Sequence, residues 1–193
     1  HSDLRRQRQM CIRDRTAADS GTPLEQGAMR MFAHTPEISK GLTAFAGSLK
    51  QNRSLPNRLV ELVRLRVAFH NQCRSCMAIR YKDGQEDGIT EDLVCSLEKP
   101  MEAENLSDAE KAAIHYGELF ATDHLAINDE VYDNLRKYFS ESEIVELSMT
   151  VAFFVGFGRL AASYHMVEEL PESFQANEEE TLTPWGNESI IVR

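Results

Sequence analysis

The chain has 193 residues, 42% of them hydrophobic and 27% charged, and 31 acidic side chains against 21 Lys and Arg give a net charge of −10. That size suits one domain with a buried core, and the acidity argues against nucleic acid or an anionic membrane as main partner, since either calls for a basic surface. Four cysteines are too few for a disulfide scaffold and fit a cytoplasmic protein.

Residues 1–15 carry five Arg and two Asp, begin without Met and hold no secretory hydrophobic segment. They read as a non-native or disordered leader and are set apart from the fold. From there to residue 170 the signal is helical almost throughout, with helices expected over 24–33, 37–50, 56–71, 74–86, 90–98, 107–121, 129–138 and 141–167. Thr90 and Asn128 are suited to cap helix starts. Ser107 with Glu110, and Ser140 with Glu143, have capping-box spacing, in which each side chain satisfies a free backbone N–H of the other. No run of alternating β-branched residues competes. The class is all-α, a single-domain bundle of about eight helices over residues 16–170.

The helix over 56–71 is apolar nearly all round, with Leu59, Leu62, Val63 and Val67 on one side and Val60, Leu65, Ala68 and Phe69 over much of the rest. Such a helix is buried by several neighbours or by a partner subunit. Glu61 interrupts it between Val60 and Leu62, where an ionised carboxylate is costly unless paired. Two readings stay open. Glu61 forms an ion pair with Arg58 or Arg64, each three residues away, or it is a desolvated proton acceptor with a raised pKa.

Next comes Cys73-Arg74-Ser75-Cys76. A C-x-x-C opening a helix is chemically loaded, because free backbone N–H groups and the helix dipole favour a thiolate. The spacing also lets the sulfurs meet as a disulfide. Half a zinc site and a pair of inert core cysteines are the alternatives. Zinc finds no second C-x-x-C and no H-x₃₋₅-H, only an isolated Cys95.

Further on, the 16-residue apolar stretch Leu147–Ala162 falls short of the ~20 residues a membrane span needs and reads as a buried helix. Its lead-in Ile144-Val145-Glu146-Leu147 echoes Leu59-Val60-Glu61-Leu62, and both precede Val-Ala-Phe, a hint of an internal helix-pair repeat. Residues 171–193 form a polar, acidic tail, loosely ordered apart from a docking option for the single Trp185.

The segment from Glu61 to Tyr81 resembles the active-site signature of the carboxymuconolactone decarboxylase superfamily, in the branch typified by alkyl hydroperoxidase D. That signature has a Glu, a Cys twelve residues later and a second Cys three further on, the positions of Glu61, Cys73 and Cys76. Leu65-Arg66-Val67-Ala68 and Asn71 are typical neighbours, and the similarity extends more loosely over residues 24–170. The resemblance implies an all-helical fold with an internal repeat, assembled as a homotrimer or homohexamer. It also implies a thiol peroxidase that uses no cofactor and no metal. Cys76 would attack the peroxide, Cys73 would resolve the product into a disulfide, and Glu61 would anchor a proton relay. An external dithiol, on a dihydrolipoyl or thioredoxin-like protein, would return the electrons.

Two positions depart from the signature. The His expected four residues after the second Cys is Arg80, and Ser75 stands where a His or Tyr is usual. Arg80 is always protonated; it can favour a thiolate from the same helical face or close an ion pair with Glu61. His70, three residues before Cys73, is a candidate replacement shuttle and otherwise a core residue; His115, His124 and His165 have no motif context. Three functions follow: a thiol-dependent peroxide reductase, a decarboxylase-like lyase with Arg80 or His70 holding a small carboxylate, and a non-catalytic oligomeric redox sensor.

Overall fold

The computed structural model describes residues 23–167, 170–175, 181–185 and 191–192. The leader reading of residues 1–15, with Cys11, lies outside the described residues. Among the described residues ten helices and one two-stranded pairing follow in chain order: α1 (Pro23–Ala33), α2 (Pro36–Gln51), α3 (Asn57–His70), α4 (Arg74–Ala78), β1 (Ile79–Arg80), α5 (Lys82–Glu86), α6 (Glu91–Cys95), α7 (Asp108–Thr122), α8 (Asp129–Leu135), α9 (Glu141–Ser163), α10 (Glu172–Gln175) and β2 (Ile191–Val192), with 3₁₀ turns after α6 and α7. The class is all-α. The capping residues act as their spacing foretold: Ser107 with Glu110 and Ser140 with Glu143 close capping boxes, and Thr90 and Asn128 accept from Leu93 and Val131 N–H.

Helix α3 is the hub, packed between α7 and α9, and every residue from Leu59 to Ala68 is buried. Its approach to α7 is close enough that a Cβ on Gly117 would stand 2.9 Å from Val63 Cγ1, so only glycine fits that crossing. Helix α9 supplies Ile144, Leu147, Val151 and Val155 to this core. It has the length of a membrane span, 23 residues, and an apolar window of mean hydropathy 1.6 of which 39% is buried, so the core takes up part of its apolar surface. Its outer face leaves Val145, Met149 and Leu160 exposed. A second apolar cluster joins Leu24, Met166, Leu170 and Phe174 around Cys73 and Met77.

Three expectations need correction. The helix expected over 74–86 is α4, a break at β1, and α5. The break has a physical cause: Arg64 takes the carbonyls of Cys76 and Ile79, and Ile79–Arg80 pair in parallel with Ile191–Val192. The helix expected to run to 167 stops at Ser163, with His165 at φ 48°. The tail is held where it is described. Gln72 exchanges side-chain hydrogen bonds with the Leu182 backbone, Arg80 Nη2 donates to Pro184 O, and the Trp185 ring lies 4.9 Å from that of Phe69. The two similar tetrapeptides fall near the starts of α3 and α9, but their glutamates differ in use, since Glu146 accepts from the Ser54 and Leu55 N–H groups ahead of α3.

Candidate active site

The chain leaves α3 through Asn71 and Gln72, and Gln72 takes φ 48°, a left-handed conformation that costs a non-glycine residue free energy. Its side-chain bonds to Leu182 and to Phe69 O hold it there. This reversal delivers Cys73 to the N-cap of α4, where its sulfur accepts from Cys76 N–H at 3.3 Å and lies 3.5 Å from Ser75 Oγ. Cys73 and Cys76 are joined as a disulfide with Cα atoms 5.2 Å apart. Cys73 is wholly buried, whereas Cys76 is half-buried. Cys95 is an exposed free thiol.

Glu61 is 3% exposed, and it is paired. Arg64 grips it with two hydrogen bonds, Nε to Oε2 at 2.6 Å and Nη2 to Oε1 at 2.7 Å, and Tyr81 N–H donates to Oε1. The same guanidinium donates to Cys76 O and Ile79 O, both at 2.7 Å, and lies 4.8 Å from the Tyr81 ring centre. Burial works against the Arg64 charge, but Glu61 outweighs it and leaves the Arg64 pKa raised. Of the open alternatives for Glu61, the structure takes the ion pair with Arg64; Arg58 pairs with Glu110 instead. The far side of Glu61 is covered by Gly84, whose missing Cβ would stand 3.0 Å from Glu61 Cβ and Cγ.

The other nominated residues scatter. Arg80 is fully buried and neither faces the thiols nor pairs with Glu61. It forms a two-point ion pair with Glu91 and donates to Met77 O and Pro184 O. The argument for a shared face with Cys76 fails because α4 ends at Ala78, before Arg80. His70 Nε2 stands 3.2 Å from Glu118 Oε1, without the alignment of a hydrogen bond, in a cluster with Arg66. The His70 ring and then Arg66, prevailing over burial, hold the Glu118 carboxyl down at about 2. Only Ser75 stays beside the disulfide, in the wall of the adjoining cavity. Among the described residues no group of three His, Cys, Asp or Glu is placed to hold a metal.

Two cavities meet at this site. The larger, about 400 Å³, has Cys76, Ser75 and Asn71 in its wall and is lined further by apolar side chains of α1, α2 and α9, among them Leu24, Leu42 and Phe157. The smaller, about 190 Å³, reaches Glu61. Arg64, Tyr81, Phe153 and Phe154 line both. Sequence reasoning named Arg64 only as an ion-pair option and Asn71 only as a typical neighbour, and it gave Tyr81 no function. The pairing of a buried Glu with an Arg three residues on was the one signal available in the sequence.

Residues 36–119 match the model of the carboxymuconolactone decarboxylase family. An uncharacterized Mycobacterium tuberculosis protein is 30% identical over 121 residues, which cover 61% of this chain and 42% of that protein. The Bacillus subtilis protein YdfG is 28% identical over 92 residues, covering 47% and 63%. The chain therefore spans less than two thirds of the curated relatives it matches. In structure it is similar to an Agrobacterium tumefaciens protein described as a putative antioxidant defence protein AhpD, with TM-score 0.61, 21% identity, and 73% and 95% of the two chains covered. It is also similar to the debrominase Bmp8, with TM-score 0.65, 15% identity and 84% and 91% covered.

Proposed function

We propose that this chain, whose residues 36–119 match the carboxymuconolactone decarboxylase family and whose helical fold is similar to that of a protein described as AhpD, is a thiol-dependent hydroperoxide reductase. The observation that carries this reading is the unequal placement of two bonded sulfurs. Cys76 lies in the wall of a cavity large enough for an organic molecule, while Cys73 is sealed behind it. In the reduced protein the Cys76 thiolate attacks the terminal oxygen of R–O–OH. The S–O bond forms as the O–O bond breaks, leaving a Cys76 sulfenic acid and an alkoxide that takes up a proton to become ROH. The Cys73 thiolate then attacks the Cys76 sulfur, and the departing hydroxide leaves as water once protonated. An external dithiol reduces the disulfide and is itself oxidised to a disulfide, which closes the cycle. Glu61 is the proton acceptor of this scheme, reached through the smaller cavity rather than through His70 or Arg80.

The lyase reading loses the anchors named for it, since Arg80 and His70 are turned to Glu91 and Glu118. The sensor reading rests on one observation, the closed Glu61–Arg64 pair, and differs in outcome: a disulfide that forms without turnover. A homotrimer or homohexamer belongs to the proposal, supported by exposed Val145, Met149 and Leu160 on the outer face of α9. The deciding experiment is hydroperoxide consumption with excess dithiol. Steady turnover that vanishes in Cys76→Ser supports the reductase; turnover surviving in Cys76→Ser, or a single oxidation event without turnover, overturns it.

A further inference from the structure

The two bonded sulfurs differ in what can reach them and in what can receive charge. Cys73 is 0% exposed and belongs to the apolar cluster with Leu24, Met77, Met166 and Phe174. Cys76 is half-buried and lies in the wall of the larger cavity. A thiol arriving from outside therefore meets Cys76 and not Cys73. Attack on Cys76 sends the electron pair of the broken S–S bond to Cys73, which must carry it in apolar surroundings. A thiolate buried in that way is costly, and burial alone raises the pKa of a thiol. A thiolate also departs faster the lower its pKa, so the reaction turns on what stands beside the Cys73 sulfur.

Two donors stand there. Cys76 N–H points at it from 3.3 Å, and Ser75 Oγ lies 3.5 Å away. A disulfide sulfur carries no hydrogen, so in the second contact the hydroxyl is the donor. Ser75 is 6% exposed, and the Cys73 sulfur is the partner of its hydroxyl among the described residues. A disulfide sulfur accepts weakly and a thiolate strongly, so this hydrogen bond gains strength as the S–S bond opens. An interaction that is stronger in the transition state than before it is the kind that speeds a reaction.

We propose that the reductant attacks Cys76, that Cys73 is the leaving thiolate, and that Ser75 is the catalytic residue that receives it. The thiolate of an external dithiol bonds to Cys76 Sγ as the Cys73–Cys76 bond breaks, and the electron pair passes to Cys73 Sγ under the Ser75 hydroxyl. The second thiol of the reductant then attacks its own sulfur in this mixed disulfide. The dithiol leaves as a disulfide, oxidised by two electrons, and Cys76 is released as a thiolate, while the two protons of the dithiol pass to the protein thiols or to solvent. Position 75 is one of the two at which the chain departs from the family signature, and the hydroxyl gives that departure a use. The inference deepens the hydroperoxide reading and rests on it only for the dithiol as natural reductant.

The test uses the full chain in its oxidised form with dithiothreitol and no peroxide, so its outcome is separate from that of the turnover assay. The rate of disulfide reduction is read at one pH by alkylating the released thiols and following the mass. Ser75→Ala is expected to be reduced roughly three- to tenfold more slowly, part of the value of a hydrogen bond to a charged sulfur. Ser75→Thr keeps the hydroxyl and is expected to stay within about twofold of the unsubstituted protein, a rescue that a merely structural role for Ser75 would not give. A monothiol, 2-mercaptoethanol, marks the sulfur attacked: after acid quenching and alkylation, cleavage behind Arg74 puts Cys73 and Cys76 on separate peptides, and the adduct is expected on Cys76. An unchanged rate in Ser75→Ala overturns the proposal, as does a Ser75→Thr variant as slow as Ser75→Ala. Adduct on Cys73 also overturns it, and that measurement needs only the unsubstituted protein, so it decides whether or not either variant folds.

Discussion

Replacing the two members of the buried ion pair, singly and together, separates what Glu61 does for the fold from what it does for chemistry. Met suits both sites: it is unbranched, so at position 61 it keeps the close contact with Gly84, where a Cβ would meet Glu61 Cβ and Cγ at 3.0 Å. The side chains of Glu61 and Arg64 are 4% and 6% exposed, so removing one leaves the other charged in a nearly dry site. That costs about 3–5 kcal/mol. Arg64→Met also strips the Cys76 and Ile79 carbonyls of their donor, adding about 1–2 kcal/mol, since the neighbouring cavities let water recover part of each bond. The double variant has no stranded charge and is left with little more than the carbonyl cost. Its loss is expected at about 2 kcal/mol, far below the ~9 kcal/mol of the two single losses taken independently.

Urea unfolding of the oxidised proteins, at one protein concentration because assembly shifts apparent stability, measures all three differences. With a slope of about 2 kcal/mol per molar, the midpoint shifts down by about 2 M in Glu61→Met, by about 3 M in Arg64→Met and by about 1 M in the double variant. Single losses below about 1 kcal/mol, or losses that simply add, would refute the picture of a dry, mutually dependent pair. The double variant then addresses chemistry. It folds without a carboxylate, so hydroperoxide turnover at the unsubstituted rate would remove Glu61 from the proton path and leave it a structural brace.

Three other outcomes follow from the geometry. Glu118, held at about 2 against an ordinary 4.5, contributes stability that is complete above about pH 5 and is lost as pH falls towards 2; stability between pH 3 and 6 should therefore slope less in Glu118→Gln, and identical slopes would contradict the shift. Gly117→Ala gains about 1 kcal/mol of helix propensity but forces a Cβ to 2.9 Å from Val63 Cγ1, so a net loss of about 1–2 kcal/mol is expected, recovered in part by Val63→Ala; a raised melting temperature would show that the helices separate freely. Arg80→Met removes the donor to Met77 O and Pro184 O and should destabilise by about 2–3 kcal/mol while leaving the alkylation rate of the Cys76 thiol within twofold; a large drop in that rate would return Arg80 to the thiol site.

Helix positions were legible because their signals are local. Capping pairs such as Ser107 with Glu110 and Ser140 with Glu143 act over three residues, and the apolar runs of α3 and α9 announce burial without reference to any partner. The break after Ala78 was not legible. It depends on a guanidinium twelve and fifteen residues upstream and a strand more than a hundred residues downstream. The same holds for Trp185, whose resting place on Phe69 is a matter of tertiary contact alone.

The site shows the limit most sharply in its arginines. Around Glu61 the chain offers Arg58, Arg64 and Arg80, and spacing alone ranks them poorly, since Arg58 and Arg64 are equally distant in sequence and Arg80 is nominated by its place in the motif. The fold gives each a different carboxylate: Glu110 for Arg58, Glu61 for Arg64 and Glu91 for Arg80. Arg58 sits in the first turn of α3, one residue before the buried run begins at Leu59, and is turned to Glu110, while Arg80 lies beyond the end of α4 and is held by Glu91. Arg64 meets Glu61, because one turn of α3 separates them, and reaches on to the carbonyl end of α4. The consequence is chemical as well as structural. A guanidinium fixed between Glu61 and the Cys76 carbonyl cannot pass a proton, so any proton that leaves Cys76 for Glu61 must go around it, along the side where Tyr81 and Phe154 line both cavities.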